Sequence, residues 1–292
     1  MQYKFIDVPA CNMCGGGGRV WGRRLNTSQG LRPKGKIGIS TTVMKCRRCG
    51  LIYSNPQPVP ENVADHYGVP PETYWHDDYF QISEDHFRTE KMRIRQFAPD
   101  ARTFLDVGAG IGKTMKAVGL DAYGVEPSQP FYEHAIMKMG ISPRRLTLRT
   151  FEETNFPQMF DVVSFGVVLE HLYDPSAAIK KAMKWLNPGG LIHIEVPNAD
   201  YLLSRVFNFY FWLSRTDYVV NISPTHVPFH LYEFTEEAFV LNGQRSGYEV
   251  VHTDRYPGVV SIAPKLSKLL SPIMTVTKTG LGLTVYLRKR AG

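Results

Sequence analysis

Several features that would restrict the class of this protein are missing from its sequence. There is no run of about 18 apolar residues, so no helix that crosses a membrane is expected. The first residues lack an apolar stretch followed by a small-residue cleavage site, which excludes a secretory signal of the usual kind. The chain also contains no internal repeat and no low-complexity tract. These absences lead us to expect a globular protein of the cytoplasm.

Long runs of one charge are also absent, although the chain is basic overall. Its 292 residues include 34 Lys and Arg against 27 Asp and Glu, which is a formal net charge of +7. The basic residues come as scattered pairs, such as Arg23-Arg24 and Arg47-Arg48. This distribution argues against a nucleic acid as the partner. It leaves open an anionic small molecule, for example a phosphate-bearing acceptor, or an ordinary solvated surface.

Cysteine is scarce, but the four cysteines form two matched C-x2-C pairs, Cys11 with Cys14 and Cys46 with Cys49. Each pair is followed by a glycine, which lets the chain turn so that backbone N–H groups face the sulfurs. Four thiolates form a closed tetrahedral zinc site, which is structural and not catalytic. Disulfides are the alternative, and they are not expected in a reducing compartment. We therefore predict a zinc-binding module over residues 1–60.

From about residue 100 onwards, apolar segments of strand length alternate with helical segments. The sequence predicts strands over residues 103–108, 122–126, 146–150, 160–166, 191–197, 248–256 and 283–289. Apolar strands separated by helices indicate a parallel sheet covered on both faces, which is a doubly wound, Rossmann-like α/β fold. We assign this domain to residues 100–292, with an insertion or lid at about 198–232. Residues 61–99 form a helical, aromatic connector ahead of it.

The loop after the first of these strands carries the strongest chemical signal. Gly108, Gly110 and Gly112 follow the strand residue Asp106, and Glu126 ends the next strand. A dinucleotide-binding loop prefers the spacing G-x-G-x-x-G, and an acidic residue ahead of the loop would repel a pyrophosphate. A carboxylate there can instead meet an ammonium or sulfonium group, and one after the second strand can accept bonds from both ribose hydroxyls. The combination favours S-adenosylmethionine over a dinucleotide.

Four motifs carry a resemblance to a known family. They are, in chain order, LDVGAGIG, GVEPS, FDVVSFGVVLEHLYDP and LNPGGLIHIEVPN. With these motifs, residues of about 100–200 resemble the class I S-adenosylmethionine-dependent methyltransferases. The resemblance implies the following cofactor contacts: Gly108, Ala109 and Gly110 as the cradle, Glu126 at the ribose, Phe151 and Glu152 near the adenine, and Gly166 and Val167 at the methionine end.

The N-terminal part extends this resemblance. The pattern CxxCG…CRRCGLIYSNPQP, with aromatic residues near YWHDDYF, is similar to zinc-bearing methyltransferases that modify sugars, including nucleotide sugars. That similarity implies a sugar or glycan-type acceptor. The related sugar C-methyltransferases have a Tyr-His-Glu-His run where this chain has His226-Val-Pro-Phe-His230. This difference favours O-methylation over C-methylation. An RNA methyltransferase with a zinc module and a catalytically idle binding module are the remaining alternatives.

Three histidines are the candidate catalytic groups. His171 follows the fourth strand of the domain, where it would face a substrate or bond to backbone at a helix start. His226 and His230 lie in sequence beside Tyr232 and Glu233, a polar and titratable group in which no third metal ligand is evident. A histidine can accept the proton of a hydroxyl during methyl transfer, so we expect one of the three to act as the general base.

The stretch YLLSRVFNFYFWLSRTDY, residues 201–218, is unusually rich in aromatic residues. It is compatible with a cover over the active site, with a peripheral contact to a membrane or a lipid-linked acceptor, and with a homodimer interface. An ordinary buried helix is the simplest interpretation.

Overall fold

The protein is described by a computed structural model that covers residues 2–24, 41–62, 66–68, 70–74, 80–83, 85–222, 228–258 and 264–290. The candidate base His226 and residues 75–79 of the aromatic run YWHDDYF lie outside these ranges. Within them, none of the helices is long and apolar enough to cross a membrane.

Five strands come first among the described residues, and strands and short helices alternate through most of the rest. The strands are β1 (Tyr3–Ile6), β2 (Gly18–Arg24), β3 (Thr41–Cys46), β4 (Ile52–Ser54), β5 (Gln57–Pro60), β6 (Thr103–Val107), β7 (Asp121–Glu126), β8 (Leu146–Leu148), β9 (Phe160–Gly166), β10 (Leu186–Pro197), β11 (Tyr232–Glu233), β12 (Tyr248–Tyr256) and β13 (Gly282–Lys289). The helices are α1 (Pro71–Tyr74), α2 (Arg88–Phe97), α3 (Lys113–Ala117), α4 (Gln129–Met137), α5 (Pro175–Lys184), α6 (Leu202–Leu213), α7 (Glu236–Ser246) and α8 (Pro264–Val276), with a 3₁₀ turn at Leu169–His171.

Seven strands form the central sheet, in the order β12-β13-β10-β9-β6-β7-β8. Strands β6 to β10 pair in parallel, which confirms the predicted Rossmann-like α/β fold. Strand β13 lies between β10 and β12 and is antiparallel to both of them. The direction of β13 could not be predicted from its sequence, because side chains alternate between the two faces of a sheet in either direction.

Local signals explain where several elements begin and end. Helix α5 begins after Asp174, whose side chain accepts a hydrogen bond from the Ala177 N–H at 2.9 Å. Helix α7 ends at Gly247, which has the left-handed φ of 80° that favours glycine at this position. The run Asn187-Pro188-Gly189-Gly190 lies inside β10, where the register with β9 shifts between Leu186 and Leu191. A Gly189 φ of 77° accommodates that irregularity.

The cysteine-bearing segment forms a second, smaller sheet that needs a strand from much later in the chain. Its order is β11-β4-β3-β2, and β11 pairs with β4 through Tyr232↔Tyr53 and Glu233↔Ile52. Strands β1 and β5 form a separate antiparallel pair. The segment between β10 and α7 therefore contributes one edge of the N-terminal sheet.

The two sheets share one apolar core. Met13, Leu51 and Tyr53 of the N-terminal segment are fully buried and belong to the same cluster as Phe165 of β9 and Phe239 of α7. The domain boundary at residue 60 stays a prediction. The shared core fixes the N-terminal segment against the carboxyl edge of the large sheet.

Candidate functional site

The three glycines after β6 all have a left-handed backbone but face different surroundings. Their φ angles are 69° at Gly108, 55° at Gly110 and 79° at Gly112. A Cβ atom would come within 2.5 Å of Val168 Cγ2 at Gly108 and within 2.6 Å of an Ile141 carbon at Gly112. At Gly110 the nearest atom of the described residues would be an aromatic carbon 3.8 Å away. Two of the glycines therefore permit close packing, and Gly110 borders open space where a ligand can approach the backbone.

A buried carboxylate holds this loop in place. Glu126 Oε2 accepts a hydrogen bond from Gly110 N at 2.7 Å, and Oε1 accepts one from Ser128 N at 2.8 Å. Burial raises the pKa of Glu126 to about 7, although both backbone bonds act in the opposite direction. Each carboxylate oxygen has a second lone pair, so the group can also accept bonds from the two ribose hydroxyls.

Asp106 lies on β6 next to this carboxylate and is equally buried. Burial raises its pKa to about 8, and the negative charge of Glu126 adds to the effect. The N–H groups of Gly108 and Ala109 both donate to Val125 O, at 2.8 and 3.0 Å. The cradle is therefore organised by its own backbone before any ligand binds.

The segment predicted to meet the methionine end has an open, strained geometry. A Cβ atom at Gly166 would meet nothing within 4 Å among the described residues. Val167 has a φ of 58°, and its N–H donates to Glu195 O at 2.9 Å. A positive φ is a marked outlier for a β-branched residue, and such strain occurs most often at functional sites.

The two residues predicted to contact the adenine, Phe151 and Glu152, have different surroundings. The Phe151 ring is buried and packs edge-on against Phe165 and Trp185. Glu152 is exposed, and its carbonyl accepts a bond from Lys181 Nζ at 2.7 Å. If Phe151 contacts the adenine, it does so through its backbone, because its ring is part of the core.

The structure brings two of the predicted histidines together with a carboxylate that sequence reasoning missed. The rings of His171 and His230 lie edge to face with their centroids 4.9 Å apart. Glu170 Oε1 lies 3.8 Å from His230 Nε2. Glu170 is completely buried, and neither of its side-chain oxygens has a hydrogen-bond partner among the described residues. Burial raises the pKa of Glu170 well above its usual value.

This cluster of Glu170, His171 and His230 lies between the glycine loop and the N-terminal sheet. The turn that bears Glu170 follows Val168, the residue that packs against Gly108. Leu231 N donates to Glu170 O at 2.8 Å, and Leu231 O accepts from Ser54 N at 3.0 Å. The residues of the cluster come from segments about 60 positions apart, joined by these backbone bonds. The sequence signal for Glu170 was its position beside His171 at the end of an apolar strand.

Two other polar residues of the predicted histidine group have structural partners. The Tyr232 hydroxyl donates to Tyr173 O at 2.8 Å. Glu233 accepts from Asn221 Nδ2 at 2.5 Å and from Ile222 N at 2.6 Å. These bonds hold the segment between β10 and α7 in place and do not point to chemistry.

The four cysteines meet in one buried group. Cys11 and Cys49 have their sulfurs 3.6 Å apart, and Cys14 and Cys46 have theirs 3.4 Å apart. All four Sγ atoms lie within 4.8 Å of one another. A disulfide needs about 2.05 Å, whereas a tetrahedron of sulfurs with metal–sulfur bonds of about 2.3 Å has edges of about 3.8 Å. The donor set therefore fits a tetrahedral metal ion and not two disulfides.

Helix α6 corrects the simplest interpretation of the aromatic stretch. Leu203 is buried, but Phe209 and Trp212 are 59% and 68% exposed. Their rings stack on each other with centroids 5.6 Å apart. The helix presents an aromatic face outwards and is not an ordinary buried helix.

Comparison with known sequences gives one family. A family model described as a methyltransferase domain matches residues 79–253. The ubiquinone biosynthesis O-methyltransferase of Serratia proteamaculans is 30% identical over 108 residues, which are 34% of this chain and 44% of that protein. The protein of the same name from Pseudomonas syringae pv. tomato is 28% identical over 131 residues, 41% of this chain and 53% of that protein. The chain spans about half the length of these curated relatives.

Solved structures with a similar fold include two methyltransferases. CcbJ of Streptomyces caelestis is 16% identical with a TM-score of 0.49, covering 79% of this chain and 97% of that one. The S-adenosylmethionine-dependent methyltransferase of Mesorhizobium loti is 14% identical with a TM-score of 0.48, covering 72% and 100%. Since the family model matches more than half of its residues, the chain belongs to the methyltransferase-domain family and has the class I S-adenosylmethionine-dependent methyltransferase fold.

Proposed function

We propose that this chain is an S-adenosylmethionine-dependent O-methyltransferase that acts on a hydroxyl group of a small molecule. One observation carries the proposal. The turn that presents Glu170 and His171 packs through Val168 directly on the glycine loop, so proton-accepting groups adjoin the cofactor cradle. Methyl transfer to a hydroxyl needs this juxtaposition, because the oxygen must lose its proton as it attacks the methyl group in line.

The residues of the chain divide this chemistry between them. S-adenosylmethionine supplies the methyl group and, as a sulfonium, a good leaving group. Glu126 fixes the loop through Gly110 and would hold the ribose of the bound cofactor. His171 donates its Nδ1–H to Phe229 O at 3.1 Å, which leaves the lone pair on Nε2. With that tautomer, His171 can accept or direct the proton of an acceptor hydroxyl, together with His230.

The acceptor that we propose first is a sugar hydroxyl. This rests on the similarity of the cysteine pattern and its following loop to the zinc-bearing sugar methyltransferases. A cleft of about 700 Å³ beside the cysteines is lined by five basic and three acidic residues. Its lining includes neither the glycine loop nor Glu170, His171 and His230, so the proposal of a sugar acceptor does not rest on it.

An aromatic hydroxyl is the second candidate. The specific observation in its favour is that the curated relatives are named ubiquinone biosynthesis O-methyltransferases. Both candidates are O-methylations and use the same cradle and cluster.

We further propose that the four cysteines hold a structural Zn²⁺. The proposal is supported by their burial and by sulfur separations of 3.4 and 3.6 Å, which are close to the edges of a tetrahedral four-thiolate site. A closed site of this kind stabilises the fold and leaves the methyl transfer to other residues.

The first test is calorimetric titration with S-adenosylhomocysteine. The natural protein should bind it, and Glu126→Ala should abolish binding because the loop loses its anchor and the ribose its acceptor. Glu133→Ala is the matched control, since Glu133 is an exposed carboxylate bonded to Gln129 on helix α4. No binding by the natural protein would overturn the proposal.

The second test separates chemistry from cofactor binding. His171→Ala and His230→Ala should each lower turnover by about 10²–10⁴-fold, the usual contribution of acid–base groups. Their affinity for S-adenosylhomocysteine should be unchanged. Turnover should be assayed against nucleotide sugars and against catechols. Unchanged turnover in both variants would remove these histidines from the mechanism.

A further inference from the structure

We infer that Glu195, at the carboxyl edge of the large sheet, recognises a protonated amino group on the acceptor, with Tyr256 as its positioning residue. The inference rests on the proposed function, because it requires an acceptor that binds beside the cofactor cradle. It goes beyond that function by naming a charge that the acceptor carries.

Glu195 lies next to the segment that is predicted to meet the methionine end of the cofactor. It is the register partner of Gly166 in the parallel pair of β10 and β9. Register partners project from the same face of a sheet, and a Cβ atom at Gly166 would meet nothing within 4 Å among the described residues. The Glu195 carbonyl also accepts the bond from Val167 N at 2.9 Å. The carboxylate therefore borders open space beside the predicted cofactor contact.

A tyrosine from another strand holds this carboxylate. Tyr256 ends β12, and its ring lies on Gly282 of β13, where a Cβ atom would overlap two of the ring carbons. Gly282 also pairs with Pro197, two residues beyond Glu195 on β10. Because Gly282 has no side chain, the ring can cross β13 and its hydroxyl can donate a hydrogen bond to Glu195. A carboxylate that accepts one such bond still has lone pairs for a ligand.

The charged groups that act on Glu195 are other carboxylates. Burial raises the pKa of Glu195, the bond from Tyr256 lowers it, and the charge of Glu90 on α2 raises it. Burial also raises the pKa of Glu170, and the charge of Glu195 adds to that effect. Among the described residues, no lysine or arginine forms a salt bridge with any of these three carboxylates. Such surroundings favour a positively charged ligand.

The fully buried Glu170 is an independent indication that a positive charge belongs here. Neither of its side-chain oxygens accepts a hydrogen bond from the described residues. A buried carboxylate in that state costs free energy unless a positive group approaches it. An ammonium group held by Glu195 would lower this cost, because the two carboxylates lie close enough to affect each other.

An ammonium group fits Glu195 better than a metal ion does. Glu195 belongs to neither of the two groups of described residues whose metal-binding atoms lie within 4.8 Å of one another. An ammonium group donates hydrogen bonds to single oxygens, whereas a metal ion needs several ligands that converge on one point. The acceptor class that follows is an amine that also carries the hydroxyl to be methylated, as in an amino sugar or an aminoalkyl catechol.

The test compares acceptors that share their hydroxyls but differ in charge. The probes are dopamine with neutral 4-ethylcatechol, and glucosamine with neutral glucose. The full-length protein should methylate the amine of a pair with a kcat/KM at least about tenfold above that of its neutral partner. Glu195→Gln should lower kcat/KM for the amine by about 10–100-fold, as expected for a lost hydrogen bond to a charged group, and leave the neutral partner unchanged. Glu249→Gln, an exposed carboxylate on β12, is the matched control and should keep the preference.

Two further measurements separate acceptor recognition from other roles of Glu195. Glu195→Gln should bind S-adenosylhomocysteine like the natural protein. Its midpoint in urea unfolding should not fall, because the substitution removes a charge that other carboxylates repel. A loss of S-adenosylhomocysteine affinity would place the carboxylate at the amino group of the cofactor itself, and a lower midpoint would give it a role in the fold. Either result would overturn the inference.

The position of the new methyl group separates this inference from the proposed function. An O-methylated product formed preferentially from the amine supports both. An N-methylated product supports recognition of the amine and counts against the proposed O-methylation. Equal kcat/KM for the amine and its neutral partner overturns the inference and leaves the proposed function standing. Methylation of neither amine also overturns the inference.

Discussion

At the scale of single residues, neighbouring glycines of one loop differ in what a side chain would contact. Gly112 lies against Ile141, while Gly110 borders open space next to the carboxylate of Glu126. The same left-handed backbone thus permits close packing at Gly112 and ligand access at Gly110. Alanine substitutions can distinguish these two roles.

Alanine at these two glycines should have different consequences. Gly110→Ala and Gly112→Ala should each lose about 1–2 kcal/mol of stability from the left-handed backbone. Gly112→Ala should lose more, because its Cβ would come within 2.6 Å of Ile141. Gly110→Ala should instead lose affinity for S-adenosylhomocysteine. Urea unfolding and calorimetry measure the two effects, and equal stability losses with equal affinities would contradict this assignment.

The buried carboxyls of the cradle should make stability depend on pH. The pKa is raised to about 8 at Asp106 and to about 7 at Glu126. Each group binds more protons in the folded state than in the unfolded state, where its pKa is about 4. The free energy of unfolding of the ligand-free protein should therefore fall as the pH rises from about 4 to 8. Asp106→Asn should flatten this fall in urea titrations, and an unchanged slope would show that Asp106 does not titrate in this range.

The residues that could be predicted from the sequence are those whose role follows from a position next to a strand end. Asp106 and Glu126 belong to this kind, and both lie beside the glycine loop, while their contacts with a cofactor stay a prediction. Glu170 could not be predicted to lack partners, because its burial and the approach of His230 depend on segments about 60 residues apart. Phe151 differs from Glu170. Its place after the third strand could be predicted, but not that its ring packs against Phe165 in the core.

At the scale of elements, strand β11 connects the cysteine site to the cluster of Glu170, His171 and His230. It pairs with β4, and His230 lies just before it. The Thr235 hydroxyl donates to Cys49 O at 2.5 Å, and Asn242 Nδ2 donates to Met13 O at 2.8 Å. The cysteine-bearing segment therefore holds the turn of Glu170 and His171 and the segment of His230 in position.

Removing zinc should loosen this connection before it affects the cradle. After chelation, amide hydrogen exchange should rise in residues 1–60 and in the segment 229–238. Residues 103–126 should change less, because β6 is paired on both sides within the large sheet. Affinity for S-adenosylhomocysteine should persist while turnover falls. Uniform acceleration of exchange over the whole chain would show instead that the two sheets unfold as one unit.

At the scale of the whole molecule, both sheets contribute to one core, so ligand binding should stabilise the entire chain. S-adenosylhomocysteine at about 100 times its dissociation constant should raise the free energy of unfolding by about 2.7 kcal/mol. The natural protein and His171→Ala should both show this gain in thermal or urea unfolding, since His171 is not expected to hold the cofactor. Glu126→Ala should show none. A missing gain in His171→Ala would place that histidine in the cofactor site.

The sequence by itself determined the features that are local along the chain. The alternation of strands and helices, the glycine loop with its two carboxylates and the paired cysteines all follow from periodicity and short spacings. The tertiary structure decided how distant segments meet: β13 lies between β10 and β12, β11 completes the N-terminal sheet, and Glu170 faces His230. The reason is physical, because an alternating strand can pair with any neighbour in either direction. Only the packing of the whole core selects one partner.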